Sequence, residues 1–125
     1  MLKIKNFLEV IHNIFPLLNT IEEGLNHIKQ QLFELRYEEA LGLLEDVVLG
    51  ISSIEDAIQP MMPELEENKI EILSVTLKES ISKILETYKD GKEIDLATQV
   101  EEGVLIAFQY WKEEIERVLR PYVVS

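Results

Sequence analysis

Apolar residues recur every three or four positions along nearly the whole chain, which is the spacing of one face of an α-helix. The chain has 125 residues but only 5 glycines and 4 prolines. All-β domains need many turns, so this scarcity favours a few long helices. The 46% of hydrophobic residues can form a core, which excludes a disordered chain. We therefore expect an all-α single domain over residues 1–125.

Interruptions of the apolar pattern predict four long helices, over residues 2–35, 37–59, 64–89 and 93–120. Pro60 and Pro63 end the second helix, Asp90-Gly91 ends the third, and Pro121 ends the fourth. Turns this short join antiparallel neighbours. The predicted fold is an antiparallel up-down four-helix bundle.

The first predicted helix contains Pro16, which lacks an N–H group and should kink or divide the helix. Thr20 and Glu23 have the spacing of a capping box, which suggests a new start near residue 20. The bundle therefore has four helices with the first kinked, or five with the first divided.

The two halves of the chain can be aligned at an offset of 56 residues. The matching pairs are Thr20 with Thr76, Glu23 with Glu79, Ile28 with Ile84, Glu45 with Glu101, Val48 with Val104 and Leu49 with Leu105. The helix–turn–helix boundaries also coincide at this offset. Two tandem helical hairpins would explain the match, although any two amphipathic helices share period and composition.

The chain carries 12 basic and 24 acidic residues, a net charge of −12. Such a surface repels phosphate backbones and anionic lipid, so we expect neither nucleic acid nor membrane as a partner. The absence of cysteine excludes disulfides and thiolate metal sites. No stretch approaches the roughly 20 apolar residues of a membrane span, and no signal-peptide cleavage site follows the N-terminus. We therefore expect a cytoplasmic protein.

One pair of residues has the spacing of a metal site. Glu9 and His12 form a Glu-x-x-His pair, which four-helix carboxylate di-iron proteins use twice, together with two further Glu residues. Glu45 and Glu101 could supply those carboxylates, but the second Glu-x-x-His is missing. The favoured interpretation is that these side chains face solvent, with no cofactor. A metal-binding bundle is the alternative.

Sequence features of catalysis are also missing. The chain has no cysteine, no G-x-S-x-G turn and no glycine-rich phosphate loop. Its predicted turns are short, whereas catalytic groups usually lie on loops held by a scaffold. We expect a protein that is not an enzyme.

The second and fourth predicted helices carry more apolar residues than one buried face requires, over residues 47–51 and 104–111. The outward residues predict an interface, with candidate contacts Leu49, Leu105, Phe108 and Tyr110. The expected partner is a second copy in a homodimer or a helical protein. Alternatively, the first helix or the C-terminal YVVS segment covers this face. A small acidic chaperone or adaptor is a further interpretation.

The segment LRYEEALGLLEDVV, at residues 35–48, resembles the turn and second helix of a tetratricopeptide repeat. The helix predicted here is longer, and the offset of 56 differs from that family's period of about 34 residues. The likeness is therefore local, and the family's peptide-binding groove is not transferred. As a whole, the chain resembles small, acidic, uncharacterised helical-bundle proteins of bacteria, which implies no activity.

Overall fold

A computed structural model describes residues 3–123, and every regular element in this range is helical. The α-helices are α1 (Leu8–Phe33), α2 (Tyr37–Ile58), α3 (Ile70–Lys89), α4 (Leu96–Gln99) and α5 (Leu105–Leu119). A π-helical turn (Val100–Val104) joins α4 to α5, so residues 96–119 form one continuous helix. Short 3-10 helices complete the chain at Lys3–Phe7, Gln59–Glu64, Glu93–Asp95 and Arg120–Tyr122.

The four long helices form an antiparallel bundle, so the predicted fold is confirmed. α1 packs against α2 and against the α4–α5 helix, and α3 packs against the α4–α5 helix. α2 and α3 approach each other less closely and are linked by the ion pair between Glu55 and Lys78. The helices therefore occupy four corners, with α2 and α5 on one diagonal.

One continuous core lies between the helices, because each contributes its apolar stripe. The largest fully buried side chains include Trp111, Phe108, Leu18, Ile54 and Leu77. Trp111 donates its indole N–H to Ser74 Oγ at 2.7 Å, which satisfies both buried polar groups.

Pro16 lies inside α1, so the structure selects the undivided first helix from the two alternatives. Thr20 does not cap a new helix, because its hydroxyl donates to the Pro16 carbonyl at 3.1 Å within the same helix. The buried stripe continues across the proline at Ile14 and Leu18. Burial of this stripe outweighs the single backbone hydrogen bond that the proline removes.

The third helix begins at Ile70, later than the predicted residue 64. Pro60 and Pro63 lie in the 3-10 helix Gln59–Glu64, which ends before α3 begins. Asn68 Oδ1 accepts a hydrogen bond from the Ile70 N–H at 3.0 Å, which forms an Asx turn just before the helix. The Lys69 N–H donates to Glu114 Oε2 at 2.8 Å, so the first residues of α3 are also tied to α5.

α1 and α2 meet at two glycines. A Cβ atom on Gly24 would lie 3.1 Å from Val47, and one on Gly50 would lie 3.1 Å from Ile21. Both distances are shorter than ordinary van der Waals contact. The missing side chains therefore allow the close approach of the two helices.

The turns after α1 and α3 have the same geometry. Leu35 (φ 62°) and Gly91 (φ 74°) both adopt the left-handed conformation. The following N–H donates five residues back in each turn, from Arg36 to Gln31 O and from Lys92 to Thr87 O. Both helices therefore end in a Schellman-type motif.

Gly91 and Gly42 allow a matched test of the left-handed turn, because a Cβ atom at either position would meet nothing within 4 Å. Only Gly91 has a positive φ. Gly91→Ala should lower the free energy of unfolding by about 1 kcal/mol, because a Cβ atom is strained there. Gly42→Ala should raise it by roughly 0.5–1 kcal/mol, because alanine favours a helix interior. Urea denaturation measures both changes, and equal signs would contradict this account.

Candidate partner-binding groove

The seam between α2 and α3 is an open groove with two cavities. The larger cavity, of ≈ 390 Å³, lies between the end of α2 and the beginning of α3. The smaller, of ≈ 210 Å³, lies further along both helices. The Lys78 side chain lines both cavities. We call this surface the α2–α3 groove.

The walls of the groove combine buried and exposed apolar side chains. Ile51 and Ile81 are buried at its base in the smaller cavity. Val48, Val75 and Leu85 line the cavities but remain exposed to solvent. Exposed apolar residues are unremarkable singly, but several along one concave seam are typical of a binding groove.

The charges at the groove are mainly acidic. Lys78 Nζ lies 2.9 Å from Glu55 Oε2 and bridges the two helices. Asp56 and Glu71 line the larger cavity and make no ion pair within the described residues. One end of the groove therefore presents two free carboxylates.

The Trp111 ring forms part of the base of the larger cavity, where it meets Ser74. It also packs against Phe108, with ring centroids 5.8 Å apart and planes at 52°. This tilted geometry is favourable for aromatic pairs. The base of the cavity is therefore a fixed part of the core.

The seam between α1 and α5, by contrast, is closed. Glu22 accepts a hydrogen bond from Lys112 at 2.8 Å and another from the Gln109 amide. The Lys112 hydrogen bond holds the pKa of Glu22 below its ordinary value. The same hydrogen bond raises the pKa of Lys112. This network stabilises the closed seam.

The predicted interface residues do not lie on one surface. Leu49 is 66% exposed and Tyr110 is 62% exposed, but they lie on diagonally opposed helices and face different sides. Leu105 is partly buried against the core, and Phe108 is fully buried beside Trp111. The prediction of an outward contact at Phe108 is therefore wrong, because that ring fills the core.

The C-terminal segment was the alternative cover for the predicted face. Tyr122 and Val123 are partly buried against the core, and the Arg120 guanidinium lies 5.7 Å from the centre of the Phe15 ring. This segment therefore packs beside α1. Residues 124–125 lie outside the described range.

The residues considered for a metal site are all exposed: Glu9, His12, Glu45 and Glu101. Glu101 lies 3.8 Å from the Lys29 amine instead. Within residues 3–123, no group of three or more such side chains is placed to hold a metal ion. The structure therefore provides no site for the metal-binding alternative in this range.

The fold defines an all-α protein, an antiparallel four-helix bundle with an open groove between α2 and α3. Among the described helices, none is long and apolar enough to cross a membrane. The chain belongs to the family described as Domain of unknown function (DUF8042), whose model matches residues 9–114. The resemblance to an uncharacterised family is thus confirmed. No curated protein and no solved structure matches the chain.

None of the four predicted contact residues lines the α2–α3 groove, although Val48 and Ile51 of the apolar segment 47–51 do. Val75 and Leu85 lie off the buried stripe of α3, next to Lys78 and Ser82 in helical spacing. Because two of these four positions are polar, the sequence shows no second apolar stripe here. The predicted contacts instead followed the stronger apolar excess at residues 104–111, most of which the core absorbs.

The Glu22 network predicts how stability depends on pH. Because the folded state lowers the pKa of Glu22, its contribution is present above the unfolded value of about 4.5 and is lost as the pH falls through the folded value. Glu22→Gln should cost roughly 1–2 kcal/mol at pH 7, and the difference from the natural protein should vanish at low pH. The exposed neighbour Glu23 provides the control, Glu23→Gln, with little effect. A Glu22→Gln deficit that persists at low pH would refute this assignment.

Proposed function

We propose that this chain is a non-catalytic binding protein whose α2–α3 groove receives an amphipathic helix of a partner protein. The observation that carries the proposal is the row of exposed apolar side chains along the open seam, at Val48, Val75 and Leu85. A helix laid in such a groove places its apolar face on the row, as in other helix-in-groove complexes.

Charge complementarity defines the chemistry of the partner. Asp56 and Glu71 are free acids at one end of the groove, and the whole chain has a net charge of −12. A helix with lysine or arginine beside its apolar stripe is attracted by these two carboxylates at contact and by the net charge of the chain at longer range. We therefore assign a basic amphipathic helix as the ligand.

A second copy of the chain fits this groove less well. Two chains of charge −12 repel each other, and the free carboxylates of the groove would face further acidic surface. The proposal therefore favours a different, basic protein over the homodimer that the sequence suggested.

The test uses a synthetic helical peptide of about 18 residues, with leucine at helical spacing and lysine elsewhere. We expect it to bind in a fluorescence anisotropy titration, whereas the same peptide with glutamate in place of lysine should not bind. Leu85→Glu should weaken binding at least about tenfold, because it places a charge in the groove.

Ile106→Glu is the matched control, since Ile106 is 50% exposed against 45% for Leu85 and lies on α5, away from the groove. Both variants add one negative charge, so non-specific attraction changes equally. Equal effects of the two variants would refute the groove as the site. Sedimentation could instead show that the natural protein is a dimer and that Leu85→Glu dissociates it. The occupant of the groove would then be a second copy of the chain and not a partner helix.

A further inference from the structure

The two turns with positive φ are related by a fixed offset. Leu35 and Gly91 are 56 residues apart, and the carbonyl acceptors Gln31 and Thr87 are also 56 apart. Equivalent hydrogen bonds therefore occupy equivalent positions in the two halves of the chain.

Buried positions follow the same offset up to the π-helical turn. In α1 and α3 the paired buried residues are Ile14 with Ile70, Leu18 with Ser74, Ile21 with Leu77, Leu25 with Ile81 and Ile28 with Ile84. The next helices continue with Ala40 paired to Leu96 and Leu44 paired to Val100. These seven pairs are therefore buried in both hairpins.

After the π-helical turn, the offset becomes 57. The paired buried residues are then Val47 with Val104, Ile51 with Phe108, Ile54 with Trp111, Ile58 with Ile115 and Met61 with Val118. A π-helical turn holds one residue more than an α-helical turn, so a one-residue insertion in the second hairpin explains the shift. The sequence alignments of Val48 with Val104 and Leu49 with Leu105 are therefore out of register by one residue.

Two of the ion pairs that bridge the hairpins obey these offsets. A third pair, between Lys29 and Glu101 at 3.8 Å, has no counterpart, because the position equivalent to Lys29 is Leu85. Glu22 corresponds to Lys78 at 56, and Glu55 corresponds to Lys112 at 57. The pair across the closed seam is Glu22 with Lys112 at 2.8 Å, and across the open seam it is Glu55 with Lys78 at 2.9 Å. The two seams therefore hold equivalent ion pairs with the charges exchanged. This agreement does not follow from amphipathic periodicity, which places no particular charge at a particular contact.

The α1–α5 seam contains larger side chains than its counterpart. Phe15 packs partly buried beneath Arg120, and Leu18 is fully buried. The equivalent positions in the open seam are Glu71 and Ser74, which line the larger cavity. The open seam therefore contains less apolar side-chain volume at these positions than the closed seam.

The outer edges of the two seams differ in the opposite sense. Where the closed seam has Asn19 and Lys29, the open seam has the exposed residues Val75 and Leu85. A seam with less volume inside and more apolar surface outside is suited to receiving a side chain from another molecule.

We propose that the chain is a duplicated helical hairpin. The α2–α3 groove is then equivalent to the closed α1–α5 seam, and it is the copy of the two that binds a ligand. Its ligand is a partner helix that inserts one large apolar side chain, such as phenylalanine, in the space that Phe15 occupies in the closed copy. Basic residues on the same helix then meet Asp56 and Glu71. This inference rests on the proposed function and specifies the anchor residue of the partner.

The test restores the closed-seam residues in the open seam. The double variant Glu71→Phe and Ser52→Gln copies Phe15 and Gln109, leaving the Ser74 hydrogen bond to Trp111 intact. We expect its midpoint of thermal unfolding to rise, because the groove becomes filled from within. The leucine–lysine peptide with one central phenylalanine should bind it at least about tenfold more weakly than it binds the natural protein.

Two controls accompany the double variant. Glu79→Phe adds an aromatic residue on the exposed outer face of α3 and should change neither the midpoint nor the binding. Replacing the central phenylalanine of the peptide by alanine should weaken its binding to the natural protein about as much as the double variant does.

The outcomes separate this inference from the proposed function. If the natural protein binds no peptide, the proposed function is wrong. The unfolding midpoint of the double variant still tests whether the two seams are equivalent, because it does not depend on the peptide. An unchanged or lowered midpoint overturns the equivalence. If the double variant unfolds at a higher temperature but binds the peptide as tightly as the natural protein does, the groove does not bind the phenylalanine of the partner helix.

Discussion

The close contact between α1 and α2 determines the geometry of the rest of the bundle. Gly24 and Gly50 bring the two helices together, so the first hairpin presents a continuous apolar surface to the α4–α5 helix. The α4–α5 helix packs on both α1 and α3, whereas α2 and α3 remain further apart. Three of the four neighbouring helix pairs therefore pack closely. The fourth pair, α2 and α3, does not, and the space between its helices is the open seam. Burial at the three close pairs supplies the apolar area that stabilises the fold.

Much of the fold could be predicted from the sequence because apolar period and turn residues act locally. The end of α2 at Pro60 and the turn at Gly91 follow from backbone rules alone. The continuity of α1 through Pro16 could not be predicted, because it depends on tertiary burial outweighing a local preference. The start of α3 likewise involves a tertiary contact, the hydrogen bond from the Lys69 N–H to Glu114 on α5.

The candidate site was predicted only in part, for a physical reason. Phe108 was assigned outward because residues 104–111 carry more apolar side chains than one helical face requires. It lies four residues after Val104 and three before Trp111, so it shares the face that the core buries. Leu49 is exposed and does not line the groove, whereas its neighbour Val48 does. The predicted bundle places α3 beside α2, but how closely the two helices pack depends on tertiary contacts that the sequence pattern does not show.

The groove and the core share Trp111, which links binding to stability. Its indole packs against Phe108, donates to Ser74 and lies at the base of the larger cavity. A side chain entering the cavity would meet a surface already held by buried contacts, so little ordering would be needed on binding. Such preorganisation improves affinity by reducing its entropic cost.

The exchanged ion pairs also favour one pairing of the hairpins. In these two pairs the first hairpin carries the acids, Glu22 and Glu55, and the second carries the lysines, Lys78 and Lys112, whereas the longer Lys29–Glu101 pair has the reverse polarity. Two first hairpins from different chains would bring carboxylates together, and two second hairpins would bring ammonium groups together. Both mispairings are repelled, whereas the pairing of unlike hairpins is attracted twice. Each pair is partly exposed and contributes roughly 0.2–1 kcal/mol, so together they modestly favour the joining of the two unlike hairpins of one chain over the joining of like hairpins from two chains.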